Sequence, residues 1–474
     1  MVQNMKMLIA GKWVDSGDTI DVKDPLDNTV IDTVPSGTAK DIDAAITAAV
    51  EGYKINRALP VHERISILRK TADIIEANLE DFAKTIAMEG SKTIREARGE
   101  AARAAMTIMI SAEEARRVVG ETIPFSSSPG SENRQGYYFR FPIGVIAAIT
   151  PFNDPLNLVA HKLGPAIAGG NSVVLKPATV TPLSALKLCE AMMEAGLPAN
   201  ILNCVTGYGA KIGDALVTDP RVRMVSFTGG VEAGQEIVKK AGLKKIGMEL
   251  GSNTPVIVCA DCDLEQAVAN SVSGAFWAAG QNCIGVQRIY IEKDIYKKFE
   301  TLFVSRTRQY KVGPKMEEDC DMGPMINEGE AKRIEKWVND AVAKGARVLI
   351  GGTRNGAIYD PTVLADVPPG STLDKQEVFA PTVNLYPVDN LDEAIAKAND
   401  VDFGLHAGIF TSSIDNAFKA IQEVEVGGII INDSSDYRID MMPFGGVKNS
   451  GLGREGIKFA LQEMTEPKVV CFNL

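Results

Sequence analysis

Three observations predict an α/β protein with two doubly wound parallel sheets and a small additional β element. From Gly144 onward, short apolar runs alternate with helical segments, and such strand–helix units build parallel sheets covered on both faces. The alternation comes in two series, one ending near Glu249 and a second running from Val256 to about Ile431. At 474 residues the chain exceeds one ordinary core, which leaves room for two or three domains.

The elements follow in order. After a strand-like opening, residues 41–58, 61–78 and 94–119 carry apolar side chains at three-to-four spacing and read as helices. Residues 125–140 are rich in Ser, Gly and Pro, then turn β-like at Tyr137-Tyr138-Phe139-Arg140. Ile146-Ala147-Ala148-Ile149 and Ser172-Val173-Val174-Leu175 are buried strands. The helix after the second starts with Thr181 as N-cap and Pro182 at its first position. Strands at 201–205 and 224–227 continue the first series, and helices at 264–279, 330–344 and 391–398 belong to the second. Lys468-Val469-Val470-Cys471-Phe472 closes the chain as an apolar strand. This strand and the one near Tyr137 read as exposed, and exposed strands need covering, which points to pairing with another subunit.

Composition excludes several classes. The net charge of -11 opposes a nucleic-acid or anionic-membrane partner. No apolar run approaches the roughly 18–20 residues of a membrane span, so the expected location is cytoplasmic. Seven cysteines, odd in number and scattered, read as reduced thiols. Cys259-x-x-Cys262 has no second pair at zinc spacing and the chain has only three histidines, so no metal site is expected.

The chemistry concentrates at strand ends. Ser226-Phe227-Thr228-Gly229-Gly230 joins a strand to the helix Val231–Ala241, where glycines admit a ligand and a helix N-terminus favours an anion. Leu175-Lys176-Pro177-Ala178-Thr179 brings an ammonium and a hydroxyl to the same edge. Asn153, in Thr150-Pro151-Phe152-Asn153, ends a strand and starts a helix; it either caps that helix or donates to an oxyanion. Cys283, in Gly280-Gln281-Asn282-Cys283, and Glu249, in Met248-Glu249-Leu250-Gly251, can act as nucleophile and water-activating base.

Taken together, Phe152-Asn153, Leu175-Lys176-Pro177-Ala178, Phe227-Thr228-Gly229, Glu249-Leu250-Gly251, Gly280-Gln281-x-Cys283, Glu377-Val378-Phe379-Ala380-Pro381 and Pro443-Phe444-Gly445-Gly446 resemble the successive signatures of the aldehyde dehydrogenase superfamily, in order and over nearly the whole chain. The resemblance implies a Rossmann-like NAD(P)-binding domain (1–122 and 144–248), a catalytic domain (249–452) and an oligomerisation element (123–143 and 453–474), assembled as a homodimer or homotetramer. It implies Cys283 as nucleophile, Asn153 and the Cys283 N–H as oxyanion donors, and Glu249 as the base for thioester hydrolysis. Lys176 and Glu377 would hold the two riboses, Phe379 the nicotinamide, and Gly229 and Gly230 the pyrophosphate. Thr150, Phe152, Ala178, Gly209, Phe227 and Leu250 complete the implied cofactor site. Relatives that prefer NAD often carry Glu where this chain has Thr179; a threonine tolerates a 2′-phosphate, so NADP is expected, with NAD as the alternative. Lys211 is a further phosphate partner to test.

For the substrate, Asn153, Asn157 and His161 share one helix face at i, i+4 and i+8. Arg103 interrupts an apolar stripe, as an ion pair or a substrate contact. Arg438 lies in a polar loop. These groups favour a short polar aldehyde such as lactaldehyde, with an anionic aldehyde (phosphonoacetaldehyde, a sulfo-aldehyde, glyceraldehyde 3-phosphate or succinic semialdehyde) as the alternative. Transfer of the acyl group to coenzyme A is disfavoured by Glu249.

Overall fold

The computed structural model describes residues 4–474. Its central parallel strands are Leu202–Cys204, Ser172–Lys176, Val145–Ile149, Val222–Thr228 and Lys245–Glu249, neighbours in that order. Antiparallel strands Met7–Ile9 with Lys12–Val14 extend one edge, and Gly451–Leu452 extends the other. Strand Val145–Ile149 is buried at every position because both faces are covered. Ile146 and Ala148 pack into one core, while Val145, Ala147 and Ile149 pack into another on the opposite face.

From Val145–Ile149 the chain winds outward through Ser172–Lys176 to Leu202–Cys204. It then returns to the other side as Val222–Thr228. The winding therefore reverses between Val145–Ile149 and Val222–Thr228, and a doubly wound sheet opens a ligand crevice beyond the carboxyl ends at such a point. A second sheet orders Arg347–Ile350, Thr362–Ala365, Thr382–Val388, Arg288–Glu292, Pro255–Val258, His406–Phe410 and Gly428–Ile431, all parallel but the first. Glu249 ends a strand of the first sheet and Pro255 begins one of the second, six residues later by sequence number. The carboxyl edge of one sheet thus faces the amino edge of the other, and the cleft between them holds the site.

The two strands expected to be exposed pair with each other. Thr465–Asn473 runs antiparallel along Arg134–Pro142, with Glu121–Ile123 on the far side. Among the described residues no helix is long and apolar enough to cross a membrane.

Several boundaries differ from expectation. The helix expected after Thr181 is Leu183–Glu194, with Pro182 as its N-cap and no side-chain cap from Thr181. Its free N–H groups are instead met by the buried Glu89 carboxylate, which accepts from Leu183 N at 2.7 Å and Ser184 N at 2.8 Å. The next difference has the same cause. The helix near Asn153 begins only at Asn157, and Glu100 accepts from Leu156 N at 2.8 Å and Asn157 N at 3.0 Å. Asn153 therefore neither caps nor belongs to that helix, and only Asn157 and His161 share its face. The helix expected over 264–279 stops at Phe276; Ala278 and Ala279 take left-handed backbone at φ 51° and 54°. The helix expected over 94–119 ends at Glu114, followed by a 3-10 turn.

Candidate active site between the two sheets

A cavity of about 1390 Å³ occupies the cleft, and Cys283, Glu249 and Asn153 all line it. Cys283 follows the left-handed turn at Ala278-Ala279-Gly280, a conformation that costs an alanine about 1–2 kcal/mol. Neighbours hold that turn. Ala278 N donates to Glu96 at 2.8 Å, and the Gln281 side chain bridges Ala278 O at 3.1 Å and Ile326 N at 2.9 Å. Burial pushes the Cys283 thiol well above its ordinary value, and the nearby Arg438 guanidinium works against that rise.

Glu249 is 4% exposed, and its Oε2 has no hydrogen-bond partner. Burial, reinforced by neighbouring Glu455, raises its carboxyl well above the usual range, while Arg438 and Lys162 pull it back. A side chain at Gly445, where φ is +152°, would meet Glu249 Oε1 at 2.9 Å, so glycine there leaves the carboxylate its space. Among the described residues the Asn153 side chain makes no hydrogen bond, which leaves its amide free to donate into the cavity. A nucleophile, a proton acceptor and an amide donor around one water-limited space suit acyl chemistry.

The other wall is a cradle. Thr150, Phe152, Ala178, Phe227, Gly229, Gly230, Leu250, Glu377 and Phe379 line the same cavity. Helix Val231–Ala241 starts at Gly230 without a side-chain cap, and a Cβ at Gly230 would touch nothing, so its first N–H groups face open space. Glu377 accepts from Ser252 N at 2.8 Å, and a Cβ on Gly251 would approach its Oε2 to 2.5 Å. Burial lifts its carboxyl to about 7. Phe379, at φ +45°, meets Phe152 edge-on at 5.8 Å. Lys176, Thr179 and Gly209 cluster beside the cavity, outside its lining. Lys176 is 5% exposed with a single partner, Pro177 O at 2.9 Å, and burial lowers its ammonium to about 8. Thr179 Oγ1 donates to Gly207 O at 3.0 Å. Lys211 is half-exposed, 3.8 Å from Asp18.

A family model described as the aldehyde dehydrogenase family matches residues 13–470. The chain belongs to the aldehyde dehydrogenase family. It is 47% identical over 473 residues to a 3-sulfolactaldehyde dehydrogenase of Priestia aryabhattai, covering 100% of this chain and 99% of that protein. Aldehyde dehydrogenase 21 of Physcomitrella patens, solved with the reaction product succinate, superposes with TM-score 0.98 at 41% identity, covering 100% and 99% of the two chains. A glyceraldehyde-3-phosphate dehydrogenase of Methanocaldococcus jannaschii complexed with NADP gives TM-score 0.93 at 39% identity, covering 97% and 100%. This aldehyde dehydrogenase is an NAD(P)-dependent oxidoreductase acting on the aldehyde group.

The residues fit the dinucleotide on physical grounds. The uncapped helix end suits a pyrophosphate, the Lys176 ammonium has hydrogens to spare for hydroxyls, and Glu377 is held ready as an acceptor.

At the substrate end of this aldehyde dehydrogenase, Arg103, Asn157 and Arg438 line the cavity, whereas His161 does not. His161 is fully buried behind the wall, its Nε2 2.9 Å from Asp440. A direct substrate contact from His161 is therefore corrected to a contact with the protein. Arg103 makes the ion pair weighed from sequence, Nη2 to Asp440 Oδ1 at 2.8 Å. The Arg438 side chain is 8% exposed and stacks over Phe444 at 3.6 Å. Its Nε is buried without a partner, its Nη2 lies 3.4 Å from His161 Nε2, and its nearest carboxylate oxygen is Glu455 Oε2 at 3.9 Å, while Glu455 Oε1 bonds Lys162 at 2.8 Å.

Sequence reasoning missed Asp440, Glu455, Lys162, Glu100 and Lys92. Lys92 is buried between Glu100 and Asp154, so it ties down the loop carrying Asn153. For Glu100 and Lys162 the available signal was a charged residue inside an apolar helical stripe; Lys92, Asp440 and Glu455 lie outside helices and carried no such signal.

Proposed function

We propose that this enzyme oxidises a short aldehyde carrying a negative charge at its far end, such as a semialdehyde or a sulfo-aldehyde, to the carboxylic acid, with NADP preferred. One observation carries the reading: Arg438 is a buried cation on the cavity wall whose Nε has no partner and whose nearest carboxylate oxygen, Glu455 Oε2, lies beyond hydrogen-bond distance at 3.9 Å. Such a group is costly unless an anion joins it. Several carboxylates lining the cavity are already engaged, Asp154 by Lys92, Asp433 by Asn270 and Ser434 N, Asp436 by Ser434 and Asp321 by Arg95, whereas Glu249 keeps an unpartnered Oε2. Relatives named for sulfolactaldehyde and crystallised with succinate agree with an anion. Lactaldehyde, with a hydroxyl in place of the charge, fits the same cavity, but Asn157 has less to offer it. Its Oδ1 accepts from Thr107 at 2.8 Å and its Nδ2 reaches Asp440 at 3.3 Å.

In the proposed sequence, Cys283 attacks the carbonyl carbon as thiolate. Asn153 and the Cys283 N–H receive the negative charge on oxygen in the thiohemiacetal. The nicotinamide of the bound cofactor supplies the hydride acceptor. Cys283 then holds the acyl group as a thioester, and Glu249 removes a proton from the water that hydrolyses it. Lys176 and Glu377 serve the riboses. The absence of a carboxylate at Thr179 supports NADP. We further propose a homodimer or homotetramer through the Arg134–Pro142 and Thr465–Asn473 sheet, where Phe139, Val469 and Phe472 are exposed. A cytoplasmic location is supported by seven free cysteines.

The test is a panel of succinic semialdehyde, lactaldehyde, glycolaldehyde, phosphonoacetaldehyde and glyceraldehyde 3-phosphate, each with NADP and NAD. The expected order places the anionic aldehydes first by kcat/KM. Equal kcat/KM for lactaldehyde and succinic semialdehyde would overturn the anion reading, and unchanged turnover in Cys283→Ala would overturn the mechanism.

A further inference from the structure

Behind the cavity wall, one carboxylate oxygen collects three of the residues that sequence placed against the substrate. Asp440 Oδ1 accepts from Arg103 Nη2 at 2.8 Å, faces His161 Nε2 at 2.9 Å and accepts from Asn157 Nδ2 at 3.3 Å. Asp440 is 5% exposed and does not line the cavity. An oxygen receiving this many donors is ionised. An ionised Asp440 requires His161 Nε2 to carry its proton. That leaves His161 Nδ1 bare, as its buried, unpartnered state agrees, and the ring neutral.

The charges at this end of the cavity can then be counted. Arg103 is cancelled by Asp440, His161 contributes nothing, Glu455 bonds Lys162 through Oε1 and approaches Arg438 only to 3.9 Å through Oε2, and burial favours the neutral form of Glu249, so Arg438 is the one cation here without a hydrogen-bonded carboxylate. Resting on the anion reading above, we infer that Asp440 is a specificity-determining positioning residue: by discharging Arg103 and holding His161 neutral, it leaves Arg438 as the one cation without a hydrogen-bonded carboxylate and selects aldehydes bearing a single negative charge over those bearing two. Arg103 in this account shields Asp440 and does not anchor the substrate.

A charge cycle tests this. Arg103→Gln, Asp440→Asn and the double variant are compared on lactaldehyde (no charge), succinic semialdehyde (one) and glyceraldehyde 3-phosphate (two). Asp440→Asn unmasks Arg103, so the dianion-to-monoanion ratio of kcat/KM rises about tenfold or more, through KM. Arg103→Gln unmasks Asp440, so both anions lose about tenfold or more against lactaldehyde. The double variant removes both charges and returns both ratios to near those of the parent enzyme. If Arg103 is itself the anchor, the double variant stays as poor with anions as Arg103→Gln, which overturns the inference. Equal losses on all three substrates in Asp440→Asn assign it a packing role, which also overturns it. Should Asp440→Asn not fold, comparing Arg103→Gln with the double variant still decides. Failure of the underlying anion reading looks different: Arg438→Gln would then leave the preference for succinic semialdehyde over lactaldehyde unchanged.

Discussion

Replacing Arg438 by glutamine separates two roles that the proposed function gives one guanidinium in this cavity. The first depends on the substrate. A charged hydrogen-bond donor contributes roughly 1.5–3 kcal/mol, and nothing nearby can substitute for Arg438, since Arg103 is already spent on Asp440 at 2.8 Å. The loss in kcat/KM for an anionic aldehyde is then about 10- to 100-fold. The second role is independent of substrate. Arg438 lowers both the Cys283 thiol and the Glu249 carboxyl, each of which burial has raised. In the proposed mechanism both groups react in their deprotonated forms. Activity therefore rises with pH along its acidic limb, and removing the cation moves that limb to higher pH for every aldehyde. The assay is the pH dependence of kcat/KM for succinic semialdehyde and lactaldehyde in parent and variant, followed by the absorbance of the reduced cofactor. A uniform loss on both substrates with an unmoved limb would refute the reasoning, because it would mean that Arg438 only braces Phe444.

Glu249→Gln keeps the attack on the carbonyl and stalls hydrolysis. A near-stoichiometric burst of reduced cofactor should precede a steady state lowered about 10²- to 10⁴-fold in stopped-flow traces. Thr179→Glu places a carboxylate where a 2′-phosphate would lie, so KM for NADP should rise about tenfold or more while NAD is held or improved, read from initial rates with each cofactor. Glu89, buried at the start of helix Leu183–Glu194, has its carboxyl raised to about 7 by burial. A raised carboxyl contributes stability that is complete below its unfolded value near 4.5 and is lost as pH rises through 7. Thermal unfolding should accordingly show the parent losing stability between pH 5 and 8, and Glu89→Gln losing less over the same interval.

Much of the fold was legible because its signals are local. The buried runs at Ile146 and Val173, the helix Val231–Ala241 and the change of series near Glu249 each follow from patterns within a dozen residues. What was misread depended on distant partners. Thr181 and Asn153 looked like helix starts because Thr and Asn cap well, yet the capping groups here are Glu89 and Glu100. They lie 95 residues from Ser184 and 56 from Leu156. The helix over 264–279 looked continuous through Ala278 and Ala279 because alanine favours helix. The held turn before Cys283 overrides that preference.

The same division runs through the site. By itself the sequence determined the fold class, the family and its aldehyde chemistry, because glycines, a cysteine and carboxylates in short local motifs carry their chemistry in their own side chains and in their order along the chain. Only the tertiary structure decided which charges are spent. Arg103, His161 and Arg438 looked equivalent as polar groups near the substrate. Asp440, 337 residues from Arg103 and 279 from His161, pairs with the first and bonds the second, while Arg438 has no carboxylate within hydrogen-bond distance. The physical reason is that a buried charge is defined by its nearest partner in space, and here those partners are brought together by folding alone.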